Sequence, residues 1–188
     1  MDYFADTLND IEMAGGLTNG FDNASRFMIE VCNKIALPEH AKESLKVAAR
    51  YVKNEASAED LETVLVRCWQ SIDGRTSEFT DPKVAAIRAV ICTLYPRDRQ
   101  SDLFTTLGFF RDCAVTSGIS SDDLLAGLRR AFGVAAQPAV VADGAHRASA
   151  LQQSHPALDR AFERMLNDKL GGISRVTRQH LGLRSLAV

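Results

Sequence analysis

Aromatic side chains are scarce: Phe, Trp and Tyr make up 7% of the 188 residues, while alanine recurs throughout. Strands are built from β-branched and aromatic residues, so this balance points to helices. The four cysteines, at 32, 68, 92 and 113, form no C-x-x-C pair, which excludes a zinc knuckle or a thioredoxin-type motif. They read as reduced, half-buried thiols. No window approaches the roughly 18 uninterrupted apolar residues of a membrane span. The start, MDYFADTLND, has no basic region leading into an apolar run, so neither a secretory signal nor a mitochondrial presequence is expected and the location is read as cytoplasmic. There is no H-E-x-x-H, no G-x-S-x-G elbow and no Gly-rich phosphate loop. His40 and Glu43 share a helix face, but two ligands do not make a metal site. The expectation is a chain without catalytic residue, cofactor or metal.

What is present is helix punctuation. Asp22 or Asn23 is expected to cap a segment with Ala24, Phe27, Met28, Val31 and Ile35 on one face, and Leu37-Pro38 separates it from a second with Ala41, Leu45, Ala48 and Val52. Ser57 with Asp60 three places on is a variant capping box. It opens the cleanest run in the chain, Leu61, Val64, Leu65, Cys68, Trp69 and Ile72, which Gly74 is expected to end. Trp69 on that stripe reads as core. Asp81-Pro82 starts the next helix, apolar around most of its circumference and therefore central, ended by Pro96. Residues 98–117 carry Leu103, Leu107, Phe110 and Ala114 on one face. Ser120 or Ser121 then opens a helix with Leu124, Leu125, Leu128 and Phe132 inward, closed by Gly133. The fold class is all-α, a single bundle of about eight or nine helices with a C-terminal appended helix or tail. Residues 1–133 form the body, 134–145 a Gly- and Pro-containing connector, and 146–188 a C-terminal helix and basic tail docked on the body.

Charge is divided unevenly. Residues 1–144 hold 15 Lys+Arg against 21 Asp+Glu, a balance of −6, whereas 145–188 hold 7 against 3, a balance of +4. An acidic body repels nucleic acid and attracts a basic partner. A helix-turn-helix in ISSDDLLAGLRRAFG would bring Asp122 and Asp123 against phosphates, so no nucleic acid is expected.

The stretch LETVLVRCWQSIDGRTSEFTDPKVAAIRAVICTLYP, residues 61–96, combines a helix ending in CWQSIDGR, a short polar loop and the alanine-rich AAIRAVICTLYP. It resembles the small all-helical immunity proteins of bacterial polymorphic toxin systems. That resemblance implies a non-catalytic protein that binds and neutralises a cognate toxin domain, without cofactor or membrane. The acidic body independently suits a basic toxin, because charge complementarity speeds encounter and sharpens partner choice. The partner surface is expected on loops and exposed helix starts, at Asp73, Arg75, Glu78, Phe79, Asp98, Asp102, Asp122 and Asp123. Phe79, an aromatic in a polar loop with no periodic role, is the candidate anchor. Asp81, Asp122 and Asp123 also suit helix capping. The alternatives are a helical enzyme whose site leaves no motif, and a helical adaptor or transcriptional regulator. Oligomeric state is left open.

Overall fold

A computed structural model describes residues 2–72, 80–99 and 102–135. These form seven α-helices and one 3-10 turn, with no strand among the described residues: α1 (Tyr3–Met13), α2 (Phe21–Cys32), α3 (Glu39–Val52), α4 (Ala58–Ser71), α5 (Pro82–Cys92), the turn Arg97–Arg99, α6 (Leu103–Thr116) and α7 (Ser121–Phe132). The all-helical expectation therefore holds. The loop 73–79, nearly all of the connector and the C-terminal segment, with the further helices expected there, lie outside the described residues.

Local chemistry accounts for most helix ends. The Ser57 hydroxyl accepts from the Asp60 amide (3.1 Å) while the Ser57 amide donates to the Asp60 carboxylate (2.8 Å), a reciprocal box that satisfies two donors otherwise orphaned. Asp81 accepts from the Lys83 amide (2.8 Å) with Pro82 in the first turn, where a missing N–H costs nothing. Ser120 caps α7, and Gly133 closes it in the left-handed region at φ 68°.

Two readings need correction. The segment 3–13 was not singled out as a helix, yet Asp2 accepts from the Ala5 amide (3.1 Å) and Phe4, Leu8 and Ile11 supply a buried stripe. Nor do Asp22 or Asn23 cap α2. Its N-cap is Gly20, with no side-chain cap, and Asp22 already lies in the first turn. A Cβ at Gly20 would stand 2.6 Å from the Gly16 carbonyl oxygen and 3.0 Å from the Phe132 ring. Close backbone approach, not capping, selects the residue there.

The helices are arranged about α5. All of its residues from Val84 to Cys92 are buried, and α2, α3, α4 and α6 pack around it. On one side α3 and α4 pair, with the expected stripe from Leu61 to Ile72 turned inward. On the other, α1 and α7 pack together and onto α2 and α6. Phe27 of α2 ties that side: it is 1% exposed, meets Phe110 edge-on at 5.7 Å and Phe4 at 6.4 Å, and lies against Gly127 of α7. Burying a side chain of this size stabilises by about 1.5–3 kcal/mol. Leu124 and Leu128 are fully buried as expected, while Leu125 and Phe132 are only half-buried.

The central helix also holds a cation that its apolar pattern conceals. Arg88 is 1% exposed, with its guanidinium 4.6 Å from the Phe109 ring centroid. A desolvated cation over an aromatic face gains about 2 kcal/mol, partial compensation for removing the charge from water. The four thiols of the bundle are buried and unlinked. Burial pushes the thiols of Cys32, Cys92 and Cys113 far above the ordinary range, and it raises the Tyr95 hydroxyl likewise.

Candidate functional site

A concave feature forms where three segments distant in sequence converge. The turn after α1 folds back on itself, with the Gly16 amide donating to the Ile11 carbonyl (2.8 Å) and the Gly20 amide to the Leu17 carbonyl (3.1 Å). This sets Glu12, Leu17, Thr18 and Asn19 beside Phe21 and Asp22 at the start of α2. The 3-10 turn after Pro96 brings in Arg97. Its backbone N–H donates to the Tyr51 hydroxyl (3.2 Å) and its guanidinium donates to Asp22 (2.6 Å) while lying 5.1 Å from the Phe21 ring centroid. The start of α6 completes the wall with Asp102, Leu103 and Phe104. The open cleft measures about 520 Å³. That lies within the range of small-ligand sites.

Three carboxylates, Glu12, Asp22 and Asp102, face one guanidinium, Arg97, so the lining carries a formal charge of −2. Their engagement differs. Asp22 is paired with Arg97, a half-exposed contact worth at most about 1 kcal/mol. Asp102 caps α6, accepting from the Thr105 amide (2.8 Å) and from the Thr105 hydroxyl. Glu12 is exposed and enters no ion pair among the described residues.

The same acidity continues along α1. No Lys or Arg precedes Arg26, whereas Asp2, Asp6, Asp10, Glu12 and Asp22 do. Asp2 meets Arg111 of α6, but Asp6 and Asp10 have no ion-pair partner among the described residues. Tyr3, Asp6, Asp10 and Met13 fall within an arc of about 80° on the helix. Tyr3 is 51% and Met13 81% exposed, and Val66 on α4 is the one other large apolar side chain comparably open among the described residues. The outer face of α1 is thus an exposed acidic stripe bounded by a tyrosine and a methionine, separate from the face that carries Glu12. None of these α1 residues was singled out from the sequence. The acid-only first 25 residues and the spacing of Phe4, Leu8 and Ile11 were the available signals.

The expected partner residues are dispersed. Asp102 lines the cleft, and Asp98 is exposed on the neighbouring 3-10 turn. Asp122 and Asp123 lie at the far end of α7, about 14–15 Å along the helix from Phe132, which touches the cleft-side turn at Gly20. Asp123 exchanges hydrogen bonds with Ser120, which makes it a capping residue. Asp73, Arg75, Glu78 and Phe79 lie outside the described residues. Glu43 is engaged by Lys46 at 2.6 Å, which holds its carboxyl below the usual glutamate value, and no cluster of three metal-ligating side chains occurs among the described residues. No described helix is long and apolar enough to cross a membrane. Comparison with known proteins finds no matching family model, curated protein or solved structure.

Proposed function

We propose that this chain is a non-catalytic immunity protein that binds a cognate bacterial toxin domain with a basic surface and neutralises it by occupying that surface. The observation that carries the reading is the outer face of α1, where Asp6 and Asp10 have no ion-pair partner among the described residues and lie between the exposed Tyr3 and Met13. Unpaired carboxylates supply long-range attraction, and tyrosine and methionine are residue types enriched at interfaces. The acid-lined cleft is a second acidic feature of the same bundle, and the proposed partner surface takes in both. Asp98 and Asp102 belong to it. Asp73, Arg75, Glu78 and Phe79 extend the proposal to the loop before α5, whereas Asp122 and Asp123 serve α7 and are left out of the central contact.

The test is association with the toxin domain encoded beside this chain, followed by biolayer interferometry at several salt concentrations. Replacing Asp6 and Asp10 together by Lys is expected to slow association about tenfold at low salt and to flatten its salt dependence. Phe79→Ala is expected to act mainly on dissociation. An absence of binding by the wild-type chain, or rates indifferent to the charge reversal, would overturn the reading. Turnover of a small molecule by the purified chain would favour the enzyme alternative, and a salt-dependent shift with duplex DNA the regulator.

A further inference from the structure

The cleft between the α1–α2 turn and the start of α6 has a definite chemical preference, and the chain itself displays it. Arg97 is held there by a carboxylate at the guanidinium edge, Asp22 at 2.6 Å, and by an aromatic face, Phe21 at 5.1 Å. Two further lining side chains offer both elements without a cation: Glu12, exposed and outside any ion pair among the described residues, and Phe104, half-buried with no ring or cation contact there. Each Asp102 oxygen accepts from Thr105, yet a carboxylate offers about four acceptor sites, so capacity remains. With −2 on the lining, an anion is repelled. A planar, weakly hydrated guanidinium suits a wall of rings and carboxylates better than a compact ammonium does.

We infer that the cleft is an anchoring site for one arginine side chain of the partner protein, received between Glu12 and Asp102 with its guanidinium stacked on Phe104. This deepens the protein-binding reading above and rests on it, because it names the side chain that the partner contributes. Arginine is among the residues that dominate interface energetics when they enter a desolvated pocket. The neighbouring Arg97 remains on Asp22, which leaves the second carboxylate and ring to the incoming group.

The experiment uses the full chain, 15N-labelled, titrated with N-acetyl-arginine amide, with N-acetyl-glutamine amide and N-acetyl-lysine amide as neutral and ammonium controls. Saturable shifts are expected at the amides of Leu17 to Asp22 and of Leu103 and Phe104 with the arginine probe, smaller ones with lysine and none with glutamine. Glu12→Gln and Phe104→Ala are each expected to weaken the arginine probe about two- to fivefold. Both are surface or rim changes, and an unchanged spectrum elsewhere verifies the fold. Equal response to the neutral probe, or an arginine response untouched by both variants, would overturn the proposal. A toxin domain that binds the wild-type chain while the arginine probe does not would remove the anchor and leave the inhibitor reading standing. A probe that binds with the predicted residue dependence, alongside a toxin domain that does not, would sustain the anchor and remove the inhibitor reading.

Discussion

Gly127→Ala tests the packing that seats α7, and with it α1, on the rest of the bundle. Two opposing effects meet at this position. Alanine in place of glycine inside a helix gains about 1 kcal/mol through propensity. The new Cβ, however, would stand 3.0 Å from Cε2 and 3.2 Å from Cδ2 of Phe27, against an optimum of about 3.5–4.0 Å between carbons. The ring must retreat by roughly half an ångström. It has little room, being 1% exposed and held between Phe4 and Phe110. Overpacking of this kind costs about 1–3 kcal/mol, so the net expectation is destabilisation by about 1 kcal/mol and a melting midpoint lower by about 2–4 °C. Phe27→Leu removes the obstructing ring edge. In that background Gly127→Ala is expected to change sign and stabilise, giving a coupling of about 1–2 kcal/mol between the two sites. Urea unfolding of wild type, both single variants and the double variant, followed by far-UV circular dichroism, measures the cycle. A coupling below about 0.3 kcal/mol, or a full propensity gain in the wild-type background, would refute the claimed contact.

The remaining predictions concern the helix start at Ser57, the buried thiols and the core beneath α7. Hydrogen bonds from the Ser57 amide and hydroxyl hold the Asp60 carboxyl below its ordinary value of 3.8. A depressed folded value means that the stabilisation is complete above the unfolded value and is lost as pH falls through the folded one. The melting-temperature gap between wild type and Asp60→Ala is therefore expected at neutral pH and should narrow on acidification to about pH 2; a gap constant across that range would contradict it. At pH 8 Ellman's reagent should leave the native chain unmodified over minutes and titrate all four cysteines in guanidinium, since every thiol is buried. Prompt reaction of any thiol in the native chain would show the packing to be wrong. Leu124→Ala, at a fully buried position of α7, is expected to destabilise by about 2–5 kcal/mol in the same urea assay.

Much of the scaffold is legible in short-range grammar. Ser57 with Asp60, Asp81 with Pro82, Ser120 and Gly133 act within one helical turn, so their roles can be read without knowing what packs nearby. The inward stripe from Leu61 to Ile72 is legible for the same reason, since helical period alone places those residues together. Gly20 shows the limit: the Asp22-Asn23 pair has capping chemistry, but a carbonyl from Gly16 and a ring from Phe132 set where α2 begins. Arg88 is another case. Nothing in its immediate sequence distinguishes a buried arginine from one that reaches solvent, because Phe109 lies on a different helix. The cleft was out of reach altogether. Glu12, Asp22, Arg97 and Phe104 come together through two turns and a 3-10 segment, and among the lining only Asp102 is legible as a partner residue, from its charge at a helix start.

The position of α5 separates two kinds of residue by their freedom to change. Each side chain from Val84 to Cys92 is locked against neighbours on every side, so drift there must be matched elsewhere in the protein. Asp6, Asp10 and Met13 project from a peripheral rod that never enters this axis, and substitution at any of them leaves the axis as it was. The outer edge of α1 can therefore diverge one codon at a time, on a frame that does not register the edit.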